Sequence, residues 1–317
     1  MALPDFLVIG APKAGSTAVH EALVQHPQLF LSTPKEPKYF LTDGAPPRRR
    51  DHRGPGDAHS AREWVWRRDE YEALFDRAPA GKLRGESTPF YLWDTAAHQR
   101  IRDTVPDVKL IAIIRDPVDR AYSNWTHLWC DGLETEPDFV TACRREPQRI
   151  ADGFAPFWRY LELGKYGEQF QHLFSVFPRE QVHVLRYKEL VDQPAKSIDA
   201  ICEFLGVEPG VVDGIPSSNM SGWANGGPVN AVLRRTIRTG AALGAFAPPE
   251  LWRRAQAPLV RALRRERSHR PRLEVAQRRQ LVEYFRADIG LLENLLGKPF
   301  HDWVSDSGRG TYAVRKS

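Results

Sequence analysis

Cysteine is scarce: Cys130, Cys143 and Cys202 are the only three among 317 residues. Odd in number and without a CxxC pair, they predict neither a disulfide framework nor a metal site. Long hydrophobic runs are missing too. Nowhere do about 18 uncharged apolar residues follow one another, so no membrane span is expected. Met1 to Asp5 lacks the basic and apolar regions of a signal peptide, and the expected location is cytoplasmic. Charge of one sign does not dominate either, with 45 Lys and Arg against 40 Asp and Glu and a net charge of +5. That excess suits an anionic ligand without demanding nucleic acid, and no nucleic-acid partner is expected. No fixed-period repeat occurs.

Hydrophobic residues at 42% and charged residues at 27% allow a sizeable core. Phe6-Leu7-Val8-Ile9 is a continuous apolar run bounded by Asp5 and Gly10, the pattern of a parallel strand buried on both faces. Apolar positions at Ala18, Val19, Ala22 and Leu23 then predict a helix ending near His26-Pro27. Lys109 to Ile114 predicts a second strand, with Asp116 as N-cap and Pro117 at the first position of a helix running to about Trp129. Val182 to Leu185 predicts a third strand, ahead of a helix from Ala195 to Leu205. Strands alternating with helices imply an α/β fold around a parallel sheet. The expected organisation is a single three-layer α/β/α domain over residues 1–304, of which 229–304 is a mostly helical extension, with a flexible tail at 305–317. Residues 44–60 and 206–228 read as loops from their Gly, Pro, Ser and Asn content. The basic run from Arg261 to Arg272 reads as a solvated helix face, with contact to a polyanion as the alternative.

The most informative segment is Gly10-Ala11-Pro12-Lys13-Ala14-Gly15-Ser16-Thr17. A strand ends, the chain turns, and a helix begins at Ser16-Thr17, so unpaired N–H groups and a partial positive charge face an incoming anion. Gly15 permits close backbone approach. Ser16 and Thr17 add hydroxyl donors, and Lys13 adds a mobile charge. The GxxxxGK[ST] pattern of P-loop kinases and ATPases is absent, because Lys13 precedes Gly15. Alone, so short a motif is equally compatible with a tight turn and a capped helix.

This turn resembles the 5′-phosphosulfate loop of sulfotransferases that use 3′-phosphoadenylyl sulfate (PAPS), and other motifs follow in order. Lys35-Glu36-Pro37-Lys38-Tyr39-Phe40 is similar to the KEPxxF segment of the glycosaminoglycan type, and Gly85 to Leu92 to its GExTPxYL segment. Ile113 to Ser123 resembles the 3′-phosphate motif. The likeness spans nearly the whole chain and is greatest to the heparan sulfate and bacterial O-sulfotransferase branch. It implies a P-loop-like phosphosulfate-binding turn, PAPS as co-substrate, 3′-phosphoadenosine 5′-phosphate (PAP) as product, no metal, and a small-molecule, sugar or lipid-linked hydroxyl as acceptor. By the resemblance, Lys13 stabilises charge at the bridging oxygen, and Lys13, Ala14, Gly15, Ser16 and Thr17 hold the 5′-phosphate. Arg115 and Ser123 would hold the 3′-phosphate. Asn219 and Gly222 match the segment closing over the adenine.

Glu36 is the candidate general base by the same resemblance, with His127 as its rival. On residue chemistry alone, Glu36 between Lys35 and Lys38 reads as a surface ion pair, His127 as a pocket-lining or surface histidine, and Arg115 as a partner of Asp119 or Glu86. Tyr91, Trp93, Trp125 and Trp129 are compatible with an acceptor pocket or with the core. Ser87 stands where the glycosaminoglycan enzymes often have lysine, and their N-terminal membrane anchor has no counterpart here, so a polysaccharide acceptor is not implied. A PAP- or nucleic-acid-binding protein without transfer activity, and a nucleotide kinase, are the alternatives.

Overall fold

β1 (Phe6–Gly10) is buried at every residue, as its unbroken apolar run requires. It forms the middle of a five-stranded sheet in a computed structural model that describes residues 2–46, 64–215 and 273–305, with Gly54 and Thr236 as isolated positions. The other strands are β2 (Leu29–Leu31), β3 (Leu83–Ser87), β4 (Lys109–Ile114) and β5 (Val182–Arg186). All pairings are parallel, in the order β2-β3-β1-β4-β5. The chain fills one side of β1 with β2 and β3, then crosses to β4 and β5. Ligands of open α/β sheets bind at the carboxyl ends where such an order reverses.

The helices are α1 (Ser16–Val24), α2 (Arg68–Ala73), α3 (Thr95–Thr104), α4 (Pro117–Cys130), α5 (Phe139–Arg144), α6 (Glu146–Ala151), α7 (Tyr166–Val176), α8 (Tyr187–Asp192), α9 (Pro194–Leu205), α10 (Val275–Leu296) and α11 (His301–Val304). α1 packs with α9, whereas α3 and α10 pack on α7 and α10 also touches α4. Right-handed crossovers explain the division, since β1 to β2 and β3 to β4 run in opposite directions along the sheet. The fold is therefore α/β with a parallel central sheet flanked by helices, as the sequence implies. Among the described residues, no helix is long and apolar enough to cross a membrane.

The sequence reading did not mark β2, β3, α2, α3, α5, α6, α7 or α8. β2 has only three residues, and α8 is a six-residue helix between β5 and α9. β3 reads Leu-Arg-Gly-Glu-Ser, with a single large apolar side chain, yet its last three residues are buried. Gly85 is required there: a Cβ would sit 2.2 Å from Cζ of Phe6 on the adjacent strand. The C-terminal helix α10 is tied in by polar contacts. Its Asp288 accepts from Gly167 N (2.9 Å) and Glu168 N (3.0 Å), capping α7 from another element. Its Arg278 donates to Asp119 Oδ1 at 3.0 Å and also to Asp116 Oδ2, the other carboxylate at the start of α4. Of the expected helical stretch 229–304, positions 229–235 and 237–272, including Arg261–Arg272, lie outside the described residues, as do 306–317 of the expected tail.

Candidate active site at the carboxyl ends of β1 and β4

The turn after β1 is fixed from both neighbours. Leu92 N donates to Ile9 O (2.8 Å), and Ala11 N donates to Ile113 O of β4 (2.6 Å). At Gly10 a Cβ would lie 2.6 Å from Cβ of Leu92, so only glycine lets the two segments approach. Lys13 (φ 67°) and Gly15 (φ 100°) both occupy the left-handed region, and between them the chain reverses into α1. Gly15 is the N-cap of α1 and makes no side-chain cap bond, so no capping oxygen competes for the N–H groups of the first turn. Ala14 and Ser16 are buried, Lys13 and Gly15 half-buried and Thr17 exposed.

Two cationic side chains reach across this turn. Lys13 Nζ donates to Nδ1 of His127 on α4 at 3.1 Å, and His127 Nε2 lies 3.2 Å from Asp131 Oδ2. With Nδ1 accepting, Nε2 carries the ring proton, near that carboxylate but not aligned for a hydrogen bond to it. From the other side, Lys35 Nζ donates to Thr17 Oγ1 (2.9 Å) and to Glu36 Oε1 (3.1 Å). Glu36 is 4% exposed. Its pairing with Lys35 is thus internal, not the surface ion pair that residue chemistry alone suggests. Lys13, Thr17, Lys35, Glu36 and His127 are linked around one turn although they lie on three separate chain segments.

Arg115, immediately after β4, donates to Lys13 O (3.3 Å), and its guanidinium lies 4.5 Å from the ring centroid of Tyr187. Neither acidic partner considered from the sequence holds it. Asp119 pairs with Arg278, Glu86 accepts from hydroxyls, and among the described residues Arg115 makes no ion pair. Tyr187 also flanks the turn, since a Cβ on Gly15 would come 3.1 Å from its Cδ2. Ser123 is half-buried on α4, one turn before His127. Asn219 and Gly222 lie outside the described residues.

The sequence reading gave no role to Lys35, Tyr187, His20 or Asp131. Lys35 stood inside a quoted motif, and Tyr187 lies two residues beyond a predicted strand, near the strand ends where ligand-facing residues concentrate. His20 Nδ1 lies 2.9 Å from Ser87 Oγ. Burial, then the charge of Lys35, depress its pKa to about 4, so this imidazole is neutral at physiological pH. Of the four aromatics, Tyr91 and Trp125 are core residues, while Trp93 and Trp129 are half-buried. Trp93 donates from its indole nitrogen to Glu162 Oε1 at 3.0 Å. Beyond His127, the rings of Phe157, Phe90 and Trp93 follow edge to face.

Known proteins share both the sequence and the architecture. Heparan sulfate glucosamine 3-O-sulfotransferase 3B1 of Homo sapiens is 28% identical over 212 residues, covering 67% of this chain and 48% of its own length. The bifunctional heparan sulfate N-deacetylase/N-sulfotransferase 3 of Homo sapiens is 30% identical over 212 residues, covering 65% of this chain and 23% of its own. The chain thus spans about half the length, or less, of these curated relatives. A crystal structure of a sulfotransferase from Alicyclobacillus acidocaldarius superposes with a TM-score of 0.72 at 28% identity, covering 96% of this chain and all of that one. The sequence profile described as "Sulfotransferase family" matches residues 4–210, which include every strand and the turn after β1. With this profile covering more than half of the sequence and the superposition agreeing, the chain belongs to the sulfotransferase family.

Proposed function

We propose that this protein transfers a sulfuryl group from PAPS to the hydroxyl of a small-molecule, sugar or lipid-linked acceptor. The observation that carries the reading is the pair of anion cradles at adjacent strand ends. One is the turn after β1, with an N-cap that lacks a side chain and with Lys13 reaching over it. The other is Arg115 after β4, which has no ion-pair partner among the described residues. A nucleotide with phosphates at both its 5′ and 3′ positions would engage both cradles. The relatives named for heparan sulfate favour a sugar hydroxyl within this range.

In this reading the acceptor oxygen attacks sulfur in line, the S–O bond to the 5′-phosphate breaks, and PAP departs. Residues 14–17 hold the 5′-phosphate through backbone N–H groups and hydroxyls, and Lys13 neutralises charge growing on the bridging oxygen. Arg115 and Ser123 hold the 3′-phosphate. Glu36 takes the acceptor proton. His127 suits that task less well, because Nδ1 already accepts from Lys13 and Nε2 then carries the ring proton; it suits the holding of Lys13.

Transfer of labelled sulfate from PAPS to a panel of hydroxyl acceptors tests the reading, with Glu36→Gln and His127→Ala compared on the best acceptor. Loss of the base costs roughly 10²–10⁴-fold in rate. PAP binding without any transfer would replace the enzyme by a binding protein, and ATP turnover would make it a kinase.

A further inference from the structure

Glu86 of β3 is fully buried, and three hydroxyl groups converge on its carboxyl. Tyr91 donates to Oε1 at 2.7 Å, Tyr71 to the same oxygen at 3.2 Å, and Thr88 to Oε2 at 2.8 Å. Two of these hydroxyls also face the other way. The Tyr91 oxygen accepts from Phe40 N, and Thr88 Oγ1 accepts from Lys38 N, each at 3.3 Å. Ser87 N adds a bond to Lys35 O at 3.2 Å. The third hydroxyl bearer, Tyr71, stacks on Tyr39 with ring centroids 4.2 Å apart and meets Phe40 edge to face at 5.4 Å. The backbone donors behind these hydroxyls, the acceptor of Ser87 N and two of the rings around Tyr71 all fall on residues 35–40, the segment that presents Glu36.

Burying a carboxyl group costs free energy that an apolar side chain would avoid, so its presence calls for a physical return. A hydroxyl that donates to a carboxyl oxygen becomes a better acceptor on its free lone pair, which tightens both bonds of the chain. We propose that Glu86 is a positioning residue for sulfuryl transfer: through the hydroxyls of Tyr91 and Thr88 it fixes the backbone at Lys38 and Phe40, and thereby the reach of Glu36 to the acceptor hydroxyl. The proposal rests on the reading of Glu36 as the base. Electrostatics agrees with it. Burial first of all, and the charge of Glu36 among the smaller causes, raise Glu86 to about 8. Glu86 thus keeps its proton at neutral pH and leaves its charged neighbour unopposed.

The test uses Glu86→Gln, which preserves shape but not the acceptor set, and Tyr91→Phe, which deletes only the oxygen linking Glu86 to Phe40 N. Each is measured for kcat and for PAP affinity by calorimetry, alone and combined with Glu36→Gln. Each single variant is expected to lose roughly 10–100-fold in kcat, as a base displaced by a fraction of an ångström to one ångström would. PAP affinity stays within about twofold, and each double variant is no slower than Glu36→Gln alone. Wild-type kcat in both single variants, losses that add in the doubles, or PAP affinity falling in step with kcat would overturn the inference while leaving Glu36 as the base. Wild-type kcat in Glu36→Gln would overturn the base assignment and the inference together. Tyr91→Phe carries the test if Glu86→Gln does not fold.

Discussion

Lys13 Nζ lies 3.1 Å from His127 Nδ1 across 114 residues of chain. The contact holds a flexible lysine over the turn that precedes α1, with His127 in turn held near Asp131. Lys13→Ala is expected to lower kcat roughly 10²–10³-fold, the usual cost of one charge-stabilising donor. His127→Ala keeps the lysine and removes one contact that holds it, so it should cost less. Single-turnover rates with saturating PAPS measure both, and an equal loss would make His127 more than a holder of Lys13.

Arg115 spans Lys13 O and the Tyr187 ring and carries the charge proposed for the 3′-phosphate. Arg115→Ala should weaken PAP binding far more than binding of adenosine 5′-phosphosulfate, which lacks that phosphate. Calorimetry on both ligands decides it, and equal losses would remove the 3′ assignment.

At Gly15, φ is 100° and a Cβ would come within 3.0 Å of Leu190 and 3.1 Å of Tyr187. Gly15→Ala is expected to cost about 1–2 kcal/mol of stability through the left-handed backbone. It should also reduce PAP affinity, because the side chain would stand in the mouth of the turn. Chemical denaturation and a PAP titration measure the two effects separately.

Arg278 bridges Asp116 and Asp119, and its side chain is only 8% exposed. Removing it leaves two carboxylates uncompensated at the start of α4. Burial and the neighbouring Asp119 already raise Asp116 to about 6 despite the arginine. Arg278→Ala should destabilise the fold by about 3–5 kcal/mol, as breaking a buried ion pair does. Arg278→Met combined with Asp116→Asn should recover part of that loss. Urea denaturation reads both.

Stability should depend on pH through buried groups of opposite sense, His98 and Glu86 among them. Burial, and then His172, hold His98 down at about 4 against an ordinary 6.5. Between those values the unfolded chain binds a proton that the folded one refuses, so stability falls as pH drops from 6.5 to 4. His98→Gln should flatten that fall. Glu86, raised from 4.5 to about 8, keeps its proton in the folded state across that interval, and its contribution declines as pH rises through it. Between pH 5 and 8 the melting temperature of Glu86→Gln should therefore gain on that of the parent. The gain corresponds to on the order of a few kcal/mol.

β1, β4, β5 and the turn after β1 were legible because their signals are local. Phe6–Ile9 and Lys109–Ile114 are unbroken apolar runs, and Asp116 accepts from Val118 N and Asp119 N as a cap ahead of a first-position proline should. The candidate residues of the turn, Glu36, Arg115 and His127 were also nameable, through ordered motifs. Their geometry was not. That Lys13 meets His127, that Lys35 joins Thr17 to Glu36, and that Arg115 lies over Tyr187 are facts about strand order.

Residue order alone showed where β1, β4 and β5 extend and where the chain turns into α1, since apolar period, caps and glycine freedom act over a few neighbouring residues. How β3 is buried with one large apolar side chain depends instead on packing between distant elements. Its Gly85 admits the Phe6 ring, and its Glu86 and Ser87 find hydroxyl and imidazole partners on other elements. Polar groups leave water when partners meet them, and those partners are brought near by the sheet, not by the sequence.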